Sequence, residues 1–128
     1  MNKAIKQVFA IFAIFALAAV PALAEYVEGT GTLKARGNGW MDVEGDGTVT
    51  IRGTGIVKVA GAESTFKNGW GTSWEEVEGN TTYTFYEGDG KLVLEGTELV
   101  INYEGTGRVK ATGTGFSNFD GEGFWYTF

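Results

Sequence analysis

Asp42-Val-Glu44-Gly-Asp46 sets three carboxylates at alternate positions, and alternate positions of an extended chain point the same way. Calcium takes about six oxygens that converge from several sides. Three carboxylates in a line along a strand make a solvated face instead. Glu75-Glu76-x-Glu78 reads as the charged edge of a loop. The Gly-x-Gly triplets invite comparison with a phosphate loop, but that loop must lead into a helix whose N-terminus holds the anion, and no helical pattern follows them. Cys and His are both absent. This excludes thiol nucleophiles, His general bases and Cys or His metal sites. After residue 24, serine occurs only at Ser64, Ser73 and Ser117, with no lysine in a recognisable nucleophile motif. Sixteen acidic residues guarantee chance carboxylate pairs, so spacing singles out no glycosidase pair. These residues point to a chain that is not an enzyme and carries neither metal nor cofactor. The remaining candidates are aromatic. Trp40 and Phe116 directly follow Gly-x-Gly triplets, on a phase that is otherwise polar, while Trp70 and Trp74 lie in an aromatic-rich middle stretch. Flat rings on a sheet cover a second layer, contact a subunit or stack on sugars, so Trp40, Trp70, Trp74 and Phe116 form the candidate ligand or partner surface.

The elements that position these residues follow from composition and pattern. Residues 1–24 read as a secretory signal peptide: Lys3 and Lys6 precede the uncharged run Val8 to Val20, Pro21 breaks it, and Ala22-Leu23-Ala24 supplies the cleavage signature. Residues 25–128 then form a single domain, secreted, periplasmic or on the cell surface, whose only link to a membrane is the export signal. All 21 glycines fall in that domain. Net charge is −6 for the whole chain, and loss of the two leader lysines makes the domain more acidic still. With acids spread along the chain and no basic run, nucleic acid is a poor partner.

From Gly29 the domain falls into octads opening with Gly-x-Gly: GTGTLKAR, GNGWMDVE, GDGTVTIR and GTGIVKVA over 29–60, with Gly61 closing the block 29–61. Further octads, GDGKLVLE, GTGRVKAT, GTGFSNFD and GEGFWYTF, occur in the block 88–128, around the insertion 62–87. Residues 29–47 align without a gap on 105–123, which suggests an internal duplication. Between 29 and 61 odd positions are glycine or apolar and even positions are mostly polar, the period of a half-buried strand. The fold class is therefore all-β. A three-residue reversal preserves parity, so Gly-x-Gly is expected to turn the chain between short strands of an antiparallel meander sandwich or barrel. In that register Ala35 faces Met41, Leu33 faces Val43 and Val43 faces Val49. A β-solenoid with the octads as rungs, or long strands kinked at the triplets, fits the same period.

The run G-x-G-x-L-x-A-x-G-x-G at Gly29–Gly39, whose glycines recur from Gly105, resembles a class of small exported prokaryotic proteins with such octads in two blocks around a divergent middle. The resemblance implies export and an all-β fold, and brings no activity and no residue roles. The expected function is an exported, non-enzymatic structural or interaction protein that self-associates through sheet edges or the Trp40/Phe116 face. The alternatives are a carbohydrate- or ligand-binding module using the 66–86 aromatics, and a small outer-membrane barrel, which the terminal Phe124, Tyr126 and Phe128 bring to mind.

Overall fold

The computed structural model describes residues 20–128, with side chains from Tyr26 onward. The expected leader therefore lies outside the described residues except for the backbone of Val20–Ala24. Four strands account for nearly all the rest: β1 (Val20–Ala60), β2 (Ser64–Gly69), β3 (Thr72–Glu78) and β4 (Thr81–Thr127). All pairing is antiparallel, in one sheet that does not close, with β2 and β3 both lying on β4.

The triplets do not reverse the chain. Gly37–Gly39 and Gly45–Gly47 lie inside uninterrupted β1, and the expected pairs Ala35/Met41 and Leu33/Val43 do not form. Leu33 pairs instead with Ala111 and Thr127. The physical reason is that parity survives a straight continuation as well as it survives a three-residue loop. Periodicity alone could not separate the two, and the long-strand alternative describes the backbone.

Each long strand pairs on both edges. Gly37 faces Gly107 on one side and Gly123 on the other, 16 residues further along β4. Arg108 likewise faces Arg36 and Arg52, 16 apart in β1. A two-stranded antiparallel ribbon can bond to itself at such an offset only by winding, with two octads per turn. Two triplets per turn make two corners, and the glycines stack across neighbouring strands. One stack runs Gly123, Gly37, Gly107, Gly53, Gly90, Gly69, each paired with the next. Only glycine fits there: a Cβ on Gly37 would sit 2.0 Å from the Glu122 carbonyl oxygen and 2.9 Å from the Gly123 Cα. Gly55 adds a second reason, since its φ of +141° is one that side chains rarely adopt.

The corners divide each turn into two walls. The first holds residues 32–36 and 48–52 of β1, 91–95, 108–112 and 124–127 of β4, and β2. The second holds 24–28, 40–44 and 56–60 of β1, 83–87, 100–104 and 116–120 of β4, and β3. Odd positions of β1 point between the walls, as the alternation requires. Leu33, Val49, Ile51, Leu92, Leu94 and Val109 from the first wall meet Met41, Val43, Val57, Val59, Ile101, Tyr103 and Phe119 from the second in one core. The small cavities of about 40 and 50 Å³ flank the glycine corners, where there is no side chain to fill the bend.

One octad breaks phase. Buried positions are even at Leu92 and Leu94 but odd from Leu99 onward. The register slips between Gly47↔Gly96 and Gly45↔Leu99, so that Thr97 and Glu98 lie opposite Asp46 alone. This β-bulge accounts for the nine-residue spacing from Gly96 to Gly105. The duplicated blocks lie against each other: Lys34 pairs with Lys110 and Asp42 with Asn118, both equivalent positions in the sequence alignment.

Candidate functional site

The structure does not bring the four aromatic candidates together. Trp70 is fully buried, which removes it from the surface proposed for it. It occupies the middle of the last triplet in the glycine stack, where a φ of 51° turns its ring inward instead of outward. There it meets Tyr103 edge-on with ring centroids 6.3 Å apart, and closes the core between β2 and β3. Its indole Nε1 is buried without a hydrogen-bond partner, a cost of about 1–3 kcal/mol that the packing must offset. Trp74 lies half-buried on the outer face of the second wall, stacked on Phe85 at 5.2 Å, with its Nε1 donating to Glu76 at 3.1 Å. The Lys58 ammonium lies 4.3 Å from the Tyr83 ring centroid and pairs with Glu78 at 3.2 Å, beside the same cluster.

Trp40 and Phe116 share the outer face of the second wall but not one patch. Trp40 is 39% exposed and paired between Glu104 and Asp120. Phe116 is half-buried, paired between Glu28 and Glu44, with Tyr26 against its ring at 5.7 Å. Both rings are therefore embedded in acids. Desolvation first, and then Asp42, push the Glu44 carboxyl above its usual range. Burial, with the hydrogen bond to Glu28, pushes the Tyr26 hydroxyl up to about 12. Asp42 Oδ1 accepts from both the backbone and side-chain nitrogens of Asn118, at 3.1 and 3.2 Å. The Asp42, Glu44, Asp46 row stays linear, and among the described residues no group of three or more acids could hold a metal ion. Ser117 is buried and donates to the Asp42 carbonyl at 2.7 Å, a structural bond with no base beside it.

The first wall carries a site that sequence inspection missed. Its outward positions alternate with Leu33, Ile51, Leu92 and Val109, and hold Arg36, Arg52, Lys91 and Arg108 in one row. Arg36 pairs with Arg108, Arg108 with Arg52, and Arg52 with Lys91. Lys34 and Lys110 face each other in the adjoining row. Six of the eight basic residues after Ala24 thus project from one wall. Like charges directly opposite across strands oppose folding, by about 0.2–1 kcal/mol per pair. Among the described residues none of the four in the row has an acidic partner within ion-pair distance.

Beside the row runs an open groove of about 940 Å³. Arg36, Arg108, Arg52 and Lys91 form one side, and the glycine stack forms the floor. The middle residues of the triplets, Asn38, Thr106, Asp89 and Glu122, form the other side. Thr106 donates to the Asn38 amide oxygen at 2.9 Å, which fixes that edge. From inside, the Tyr103 hydroxyl lies 3.0 Å from the carbonyl oxygens of both Thr54 and Thr106 and donates to them, holding two neighbouring triplets in place.

A charge period hides in the sequence. Arg36 and Arg52 close alternate octads of the first block, and Lys91 and Arg108 follow the triplets that face them. No run of basic residues exists along the chain because each turn contributes only one residue per strand. Compared with known proteins, the chain matches no family model, no curated protein and no solved structure.

Proposed function

We propose that this is an exported, non-enzymatic interaction protein whose working surface is the cationic wall of the wound ribbon, and whose partner is anionic. The observation that supports it is the row Arg36, Arg108, Arg52, Lys91, set cross-strand beside a long groove with no ion pair to any acid among the described residues. An arrangement of like charges that costs folding energy, with only Lys91 gaining a ring contact (Phe66, 5.9 Å to the centroid), belongs with sites kept for binding. The interior cavities of about 40 and 50 Å³ hold a few water molecules at most, so a partner is met on the outside of the ribbon.

The opposite charge of the second wall favours a second reading, self-association. Asp42, Glu44, Glu87, Glu104 and Asp120 project there, so the acidic wall of one copy complements the cationic wall of the next. Such a contact is heterologous and grows into stacks. A lipid-embedded barrel is disfavoured, because charged rows face outward and the apolar side chains face in, the reverse of a membrane cylinder.

The test is chromatographic. The chain has a net charge of −6, yet it is expected to be retained on a sulfonated cation-exchange resin at pH 7 and low salt, through one face. Arg52→Gln with Arg108→Gln should abolish retention while leaving the urea midpoint unchanged or higher. Wild-type protein in the flow-through, or a variant eluting with wild type, would refute the reading.

A further inference from the structure

We infer that the anionic partner is a single linear acidic polysaccharide, laid along the groove across successive strands. This rests on the reading of the cationic wall as a binding surface, and names what that surface holds. Cations in the row recur once per strand, at about 4.8 Å in the hydrogen-bonding direction. An extended chain of pyranose rings advances by a similar distance per ring, so a polymer with one carboxylate on each ring meets one cation per step. The three arginines add a planar fork that grips a carboxylate through two parallel bonds.

The two sides of the groove separate this ligand from other polyanions. Opposite the guanidinium groups stand Asp89 and Glu122, with Asn38 and Thr106 between them. Carboxylates on that edge accept hydrogen bonds from hydroxyl groups and repel phosphates. A ligand satisfying both edges carries anions on one side and hydroxyl donors on the other, as an acidic sugar polymer does. Nucleic acid offers dense phosphate and few hydroxyls. A duplex also needs a broad basic surface, whereas the cations here fill one row, with only Lys34 and Lys110 in the next, and are backed by an acidic second wall. The bare glycine floor lets the sugar rings approach the backbone, and Phe124, paired with Arg36, lies at one end of the row.

The experiment is calorimetric titration of the full chain with polygalacturonate, its methyl-esterified form, single-stranded DNA of matched length and anionic phospholipid vesicles. Binding is expected with polygalacturonate, at least tenfold weaker with the ester, and lost in the Arg52→Gln, Arg108→Gln variant. Oligogalacturonates should gain affinity up to about four rings and little beyond. Asp89→Asn with Glu122→Gln should weaken polygalacturonate while leaving resin retention intact, because only hydroxyl recognition is removed. Equal binding of the ester, or tighter binding of DNA or vesicles, would overturn the inference. Silence toward polygalacturonate with resin retention preserved would overturn it too, and leave the cationic wall as a surface for another anion. Loss of both would remove the wider reading as well.

Discussion

Individual residues carry the fold where strands crowd most closely. Gly37 has a backbone that other residues could adopt, so its requirement is purely one of space. Gly37→Ala is expected to lower stability by about 2–3 kcal/mol, the cost of forcing a methyl group into a filled site. Gly71→Ala, with nothing within 4 Å of the new Cβ, should change it by less than about 0.5 kcal/mol. Urea melts of the two variants make the comparison. Tyr103 supplies a pH dependence. Burial raises its hydroxyl to about 12. A folded-state pKa above the unfolded one gives stability that is complete below pH 10 and is lost as pH rises toward 12. Alkaline unfolding in that window should become shallower in Tyr103→Phe, followed by circular dichroism. The inward phase of Leu33, Val43, Val49 and Ile51 was legible in the sequence because alternation depends only on local backbone geometry. The burial of Trp70 was not, since it depends on one inverted φ at the end of the glycine stack.

At the scale of elements, β1 and β4 supply the spiral, and the segment joining β2 to β3 ends it. Every residue of β2 is exposed, including Phe66 at 53%, and β3 buries little more. Trp70 is the main apolar anchor between these two strands and the core. Trp70→Ala should cost about 3–5 kcal/mol and release β2 and β3 before the long strands unfold. Hydrogen exchange would show early loss of protection over 64–78, with protection over 40–44 retained. The stretch 62–87, read from the sequence as an insertion, holds β2, β3 and the start of β4, and its aromatics divide between core and surface. Trp70 packs inward, while Trp74 stacks on Phe85 outside. Composition could not make that division because the pairing partners lie on another strand. The direction taken at each triplet was hidden for a related reason. Gly-x-Gly permits both a reversal and a bend, and only pairing on the second edge of each strand selects the bend.

For the whole molecule, winding turns a weak sequence signal into a surface. Arg36, Arg52, Lys91 and Arg108 are scattered over more than half of the octad region, and become neighbours only because the ribbon returns on itself every 16 residues. The same winding sends Asp42, Glu104 and Asp120 to the other wall. Uniform acidity along the sequence therefore coexists with a cationic groove, because topology gathers basic residues that form no run along the chain. Both proposals stand on this arrangement. The most direct measurement is a nuclear Overhauser spectrum of uniformly labelled protein, observing cross-strand contacts of Arg108. The winding described here requires backbone contacts from Arg108 to both Arg36 and Arg52. Contacts to only one of them, or local contacts between Ala35 and Met41 across Gly37–Gly39, would contradict it.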